Sequence, residues 1–96
     1  MFVETIDFLS GERKILSGNA VPIDPCETVV INSARYELVS CGTSLILENG
    51  ECEISENDKS RYQLLLGIDK KGSYELTVTL EIGRETIKKR VNIKVR

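Results

Sequence analysis

The sequence predicts an all-β protein, a β-sandwich of about seven short antiparallel strands. Short segments alternate apolar and polar residues along most of the chain, and polar or glycine-containing turns separate them at fairly even spacing. No helical periodicity extends beyond a single turn. A small β-barrel stays open as the alternative, because a succession of hairpins does not say whether two sheets close on each other.

Length and composition predict a single domain over residues 1–96. A chain of this size buries about two-thirds of the surface that it exposes when unfolded, which is enough for folding without disulfides or a metal. Aromatic residues make up 5% of the chain and tryptophan is absent. The core must therefore be built from Val, Ile and Leu, which favour strands.

The first strand is predicted over residues 2–9, where Phe2, Ile6 and Phe8 share one face. The following segment, 10–25, contains glycines and prolines and is predicted to be loop-rich.

Segment 10–25 is a candidate partner-binding region, with a short extended piece expected at 14–16. Two further strands are predicted after it, "ETVVIN" (27–32) and "ARYELVS" (34–40), the second with Tyr36 and Leu38 on one face.

A hairpin is predicted in "SLILENGECEIS", because Asn-Gly at positions 49–50 is the typical sequence of a type I′ turn. This register would pair Glu48 with Glu51, Leu47 with Cys52 and Leu45 with Ile54. A polar turn, "ENDKS", and another strand, "RYQLLLG" (61–67), follow.

The last hairpin has the clearest pattern. Residues 74–82 alternate strictly, and Gly83-Arg84 fits a type II′ turn with glycine first. The predicted pairs are Ile82–Glu85, Leu80–Ile87, Val78–Lys89, Leu76–Val91 and Tyr74–Ile93. Lys89 is the exception on an apolar face, where its stem is expected to run along the core edge with the ammonium in water; a functional buried lysine is the alternative.

The stretch "DKKGSYELTV" is similar to the D-x-G-x-Y-x-C stretch of immunoglobulin-like domains. Asp69, Gly72 and Tyr74 match it, with one extra residue after Asp69, and Leu76 replaces the disulfide cysteine of antibody domains. The resemblance implies an immunoglobulin-like β-sandwich in which the tyrosine hydroxyl bonds back to the preceding corner.

From Ser33 to Arg96 the chain also resembles small proteins encoded in the structural gene clusters of tailed phages and prophages of Gram-positive bacteria. The matching positions are Ala34, Tyr36 and Leu38; Gly50, Cys52 and Ile54; Gly72, Tyr74, Leu76 and Val78; and Glu85, Thr86, Ile87, Lys88, Val91, Ile93 and Val95. The resemblance implies a virion-associated or accessory protein that works by binding.

Charge is distributed unevenly, although the net charge is only −2, which argues against general nucleic-acid binding. Residues 48–58, here called the acidic pole, carry five acids and no base, whereas residues 84–96, the basic pole, carry six bases and one acid. Two solvated faces are one interpretation, and head-to-tail pairing of neighbouring copies is the other.

Catalytic motifs are absent from the sequence. The chain has no histidine, which excludes Ser-His-Asp and Cys-His catalysis and histidine-containing zinc sites. Cys26, Cys41 and Cys52 lack C-x-x-C spacing and are expected to be free thiols, with Cys52 in the core. Oxygen ligands for Ca²⁺ at 48–51, Glu53 and Asp58 lack the spacing of a known loop.

We therefore expect a non-catalytic structural or protein-interaction protein without a cofactor or metal, which binds protein partners or copies of itself, and neither nucleic acid nor membranes. The alternative is a binding module for a carbohydrate or small ligand, in which Tyr36, Tyr62 or Tyr74 would stack on the ligand. The opening "MFVETIDFL" lacks a basic region followed by a long apolar core, so cytoplasmic synthesis without a signal peptide is expected, followed by incorporation into a phage particle.

Overall fold

The structure is a computed structural model that describes residues 4–20, 29–42 and 45–96. This part of the chain forms eight strands. They are β1 (Glu4–Phe8), β2 (Arg13–Asn19), β3 (Ser33–Ser40), β4 (Ile46–Glu51), β5 (Glu53–Ile54), β6 (Arg61–Gly67), β7 (Gly72–Ile82) and β8 (Glu85–Val95).

The strands form two open sheets, as predicted for an all-β sandwich. The first sheet has five strands in the order β1-β8-β7-β3-β4, and the second has three in the order β2-β6-β5. The prediction of wholly antiparallel pairing is wrong at one place, because β1 runs parallel to β8. The first and last strands of the chain are neighbours, and no hairpin connects them, so nothing forces them to run in opposite directions.

The β7–β8 hairpin has the predicted register at all five pairs, from Ile82 opposite Glu85 to Tyr74 opposite Ile93. Gly83 has a φ of 60°, and no described residue other than glycine has a positive φ. A type I′ turn needs positive φ at both central residues, so the negative φ of Arg84 supports type II′.

The core lies between the two sheets and is mainly aliphatic, as the composition indicates, with Phe8, Tyr62 and Tyr74 as its aromatic members. The most deeply buried side chains are Phe8, Leu66, Leu76, Leu80 and Ile93. Strand β6 shows the alternation most clearly, since Leu64 and Leu66 are buried while Leu65 between them is 57% exposed. The two-residue period thus places one face of each inner strand in the core.

Strand β2 lies within the segment 10–25 that was predicted to be loop-rich, and it is longer than the expected extended piece at 14–16. It pairs with β6 along its whole length. Gly18 lies opposite Tyr62, and a Cβ atom at Gly18 would lie only 2.7 Å from the Tyr62 Cζ atom. This glycine therefore makes room for a ring across the sheet and does not mark a turn. Residues 21–25 of the segment lie outside the described residues.

The predicted hairpin at 44–55 is wrong. Asn49 and Gly50 continue β4 and pair with Glu37 and Tyr36 of β3. After Cys52 the chain passes to the second sheet, where β5 pairs with β6. A Cβ atom at Gly50 would lie 3.1 Å from the Tyr36 ring. Here too glycine accommodates a cross-strand tyrosine, and this packing replaces the turn that Asn-Gly favours.

The predicted strand at 27–32 is also wrong where it can be compared. Residues 29–32 form no strand, and residues 27–28 lie outside the described part, as does Phe2 of the predicted first strand. Ile31 is nevertheless buried, and its backbone N–H donates to the Lys59 carbonyl oxygen at 2.9 Å. The adjacent Asn32 N–H donates to the Glu81 carbonyl at 2.7 Å. This apolar run therefore contributes to the core without forming a strand.

None of the described residues belongs to a helix that is long and apolar enough to cross a membrane.

Candidate interaction surface

Strand β4 is an edge of the five-stranded sheet and, among the described residues, pairs only with β3. Three consecutive aliphatic side chains lie exposed here: Leu45 at 67%, Ile46 at 46% and Leu47 at 49%. An open edge displays unpaired N–H and C=O groups, and soluble proteins normally protect such edges with charge or cover. Exposed aliphatic residues at such an edge make it a candidate interaction surface.

Two local features leave these aliphatic residues uncovered. The pairing passes from Leu38–Glu48 to Val39–Ile46, so Leu47 is an extra residue in a β-bulge. The second sheet ends at β5, which has two residues, so it is too short to cover the inner face of β4. The five-stranded sheet therefore extends beyond the three-stranded one at this edge.

The acidic pole begins on the same strand. Glu48 accepts a hydrogen bond from the Tyr36 hydroxyl at 3.1 Å, and Glu51 lies opposite Arg35 in the register. Burial, with a further contribution from the hydrogen bond to Glu48, raises the pKa of Tyr36. The hydroxyl therefore stays protonated and acts as the hydrogen-bond donor to Glu48. The β4 edge thus combines exposed aliphatic groups with carboxylates.

The basic pole lies towards the other side of the same sheet, on β8. Lys88, Arg90 and Lys94 alternate with the inward-facing residues of this strand and are exposed. Arg90 approaches Glu75 at 3.9 Å, a weak exposed ion pair. Within the first sheet, β7 and β3 therefore separate the basic pole from the part of the acidic pole that lies on β4. The rest of the acidic pole belongs to β5 of the second sheet and to the turn after it.

The acids do not gather into a cation site. Glu53 accepts a hydrogen bond from Gln63 at 3.1 Å, and Asp58 accepts bonds from the Ser60 N–H and hydroxyl. Within residues 4–20, 29–42 and 45–96, no group of three or more His, Cys, Asp or Glu side chains is placed to hold a metal ion. Because β4 and β5 belong to different sheets, carboxylates that are close in sequence have hydrogen-bond partners in different parts of the structure.

The tyrosines do not form an exposed stacking surface. Tyr62 and Tyr74 belong to the core, with 7% and 5% exposure, and Tyr36 is partly buried against Gly50. The Tyr74 hydroxyl donates to the Lys70 carbonyl oxygen at 2.6 Å, which is the back-bond to the corner that the sequence resemblance implies. A polar groove at one end of the second sheet includes Tyr62, but the buried ring leaves a ligand nothing flat to stack on.

Lys89 links the two sheets. Its Nζ donates to the Asn19 carbonyl oxygen at 2.8 Å and lies 5.8 Å from the centre of the Tyr62 ring. Lys89 belongs to β8 of the first sheet, while both partners belong to strands of the second. This side chain therefore has structural partners that account for its place on an apolar face.

The two described cysteines differ in their exposure to solvent. Cys41 is exposed and Cys52 is buried, and both are free thiols; Cys26 lies outside the described residues. Burial raises the pKa of the Cys52 thiol to about 11. In the unfolded chain this thiol has its ordinary pKa of 9.0, so it loses its proton at a lower pH than in the folded chain. The contribution of Cys52 to the free energy of unfolding is therefore complete below about pH 9 and is lost as the pH rises towards 11.

With Cys26 replaced by serine, we expect a thiol reagent at pH 8 to modify one thiol of the folded chain quickly and the second only on unfolding. The physical reason is that Cys41 is accessible, whereas Cys52 is both buried and protonated. Absorbance after adding a chromogenic disulfide reagent, with and without denaturant, gives the count. The matched control C26S/C41S should show no fast reaction, and fast modification of this control would contradict the buried position.

The open β4 edge is the part of the candidate surface that was not predicted from the sequence. In the sequence, the run Leu45-Ile46-Leu47 before an acid does not alternate and so indicated this edge, but the predicted Asn-Gly turn placed these residues in the core of a hairpin.

Comparison of the chain with protein-family models and with curated protein sequences gives no match.

Proposed function

We propose that this chain is a non-catalytic, immunoglobulin-like protein-interaction domain that assembles through the β4 edge, as a virion-associated or accessory protein of a tailed phage or prophage. The observation that carries the proposal is the run of exposed aliphatic residues on an open strand edge. Main-chain hydrogen bonds to an added strand would supply affinity, and the aliphatic side chains and carboxylates would supply specificity.

The strand order supports the immunoglobulin-like part of the proposal. Read as the strands of such domains in chain order, β2, β5 and β6 take the places of B, D and E, and β3, β7 and β8 those of C, F and G. The hydrogen bond from Tyr74 to the Lys70 carbonyl is in the place of the tyrosine corner of this fold. The first strand departs from the constant-type pattern, because β1 lies beside β8 in the other sheet.

The phage part of the proposal is supported by the sequence resemblance from Ser33 to Arg96. The non-catalytic part is supported by the lack of histidine and by the buried Cys52, whose raised pKa makes it a poor nucleophile. Particle proteins act by holding other chains in place, and an open sheet edge is suited to that role.

The test compares binding by two double variants. Where the neighbouring reading frames encode capsid, portal or tail proteins, each product is co-expressed with the wild-type chain, L45K/L47K or I15K/L65K. Ile15 and Leu65 are as exposed as Leu45 and Leu47 but lie opposite each other on the three-stranded sheet, so they form a matched control. Complexes are measured by sedimentation velocity, including the chain alone.

We expect the wild type and I15K/L65K to form the same complex, and L45K/L47K to bind at least about tenfold more weakly, because lysine at an edge opposes strand addition. Equal binding by all three variants would rule out the β4 edge. Loss of binding in I15K/L65K alone would move the interaction surface to the second sheet.

A further inference from the structure

Resting on the proposed function, we propose that the occupant of the β4 edge is a second copy of this chain, paired through the first half of its β8. The five-stranded sheet of one copy would then continue into that of the next. Three observations carry this inference: an open stretch on β8, opposite charge on the two edges, and strand directions that match.

The open stretch is the first half of β8. Strand β1 pairs with Val91 to Val95, at the second half of β8. Residues 85–90 pair with β7 on one side and, among the described residues, with no strand on the other. The stretch 85–90 has the same length as β4, which has six residues. It also contributes the partly exposed Ile87, an aliphatic partner for Leu47.

Among the open edges of the five-stranded sheet, charge selects this stretch. On the outer face of the sheet, β4 carries Glu51 and the open half of β8 carries Lys88 and Arg90, all exposed. Glu48 lies opposite Leu38 on the inner face and adds to the negative charge of the β4 edge. Pairing β4 with the β4 of another copy would bring carboxylates together, and pairing it with β1 would bring them near that strand's own acids. Like charges across a strand pair are destabilising, and opposite charges are favourable.

Strand direction permits the pairing without turning the second copy over. Strands β8, β7, β3 and β4 are successively antiparallel, so β4 runs opposite to β8 within one sheet. A copy placed beside β4 in the same orientation therefore presents its β8 antiparallel to β4. The two surfaces of such a contact are different, so it repeats and gives rings or open chains instead of stopping at a dimer.

The test is a charge exchange between the two edges. Variant E48K/E51K makes both edges basic, and variant K88E/R90E makes both acidic. Each variant alone should therefore sediment as a monomer under conditions in which the wild type forms a concentration-dependent series. A mixture of the two variants should assemble again, since every contact then joins opposite charges, and this recovery shows that both variants are folded.

The matched control is K70E/K71E, which has the same change in net charge. Lys70 and Lys71 are exposed residues in the connection before β7, so neither faces a residue of a paired strand. This control should assemble like the wild type. Raising the salt from about 0.05 M to about 0.5 M should weaken wild-type assembly by about tenfold or more, because the contact is between exposed charges.

Several results would overturn the inference. These are a wild-type chain that stays monomeric at every concentration, assembly that strengthens with added salt as a β4–β4 contact would, or a K70E/K71E control that fails to assemble as K88E/R90E does. A monomeric wild type that still binds a neighbouring gene product through Leu45 and Leu47 would overturn self-assembly and leave the proposed function intact. Failure of both experiments would remove the proposed function as well.

Discussion

Replacing Leu66 with alanine is expected to lower the free energy of unfolding by about 3–4 kcal/mol, as deletion of a large buried side chain does in other well-packed cores. Leu66 belongs to β6, has no solvent exposure and is part of the core. The surrounding aliphatic residues belong to two hydrogen-bonded sheets, so they can close only part of the cavity. Urea unfolding followed by circular dichroism measures the change.

The neighbouring residue is a matched control for this loss. Leu65 has the same side chain on the same strand but is 57% exposed on the outer face. Replacement of Leu65 with alanine should change the free energy of unfolding by less than about 0.5 kcal/mol. Equal losses from L65A and L66A would contradict the alternation of β6 and hence the position of the core.

Replacing Gly18 with alanine is expected to cost about 2 kcal/mol, an overpacking penalty much larger than usual for adding one methyl group. The added Cβ atom would lie 2.7 Å from the Tyr62 Cζ and would overlap the Tyr62 hydroxyl. Tyr62 is buried in the core and lies beside the Lys89 ammonium, so its ring has little room to move away. Thermal and urea unfolding of G18A measure the loss.

A double-mutant cycle identifies the cause. In a Y62L background, G18A should cost clearly less, because the ring that the methyl group overlaps is gone. The adjacent exposed substitution S17A should be nearly neutral and controls for changes in strand propensity. The same cost for G18A with and without the ring would show that the close approach to Tyr62 is not the cause.

Sequence reasoning succeeded where a local pattern and a turn signal agreed. Residues 74–95 show this: strict alternation over 74–82 and a glycine in the turn determine the register, and both depend on neighbours in sequence. Strand β6 was likewise predicted at its observed bounds, 61–67. These elements supply most of the core.

The predictions from the sequence were wrong where a contact between distant residues outweighed the local conformational preference of a short segment. Gly18 and Gly50 suggested a loop and a turn, but each lies in a strand opposite a tyrosine that is distant in sequence. Short segments could not reveal these partners, because the pairing of β4 with β3 instead of β5 depends on the whole fold. The charged poles of the candidate surface were predictable from the sequence, but the open edge depended on that pairing.

The parallel pairing of β1 with β8 has a mechanical consequence. Tension applied through the two ends of the chain would pull β1 at Glu4 and β8 at Val95 in opposite directions along their common axis. The hydrogen bonds between them would bear this load side by side, in shear, so several must break together before either strand can slide. A domain joined through its ends to larger structures would therefore resist extension at this strand pair first.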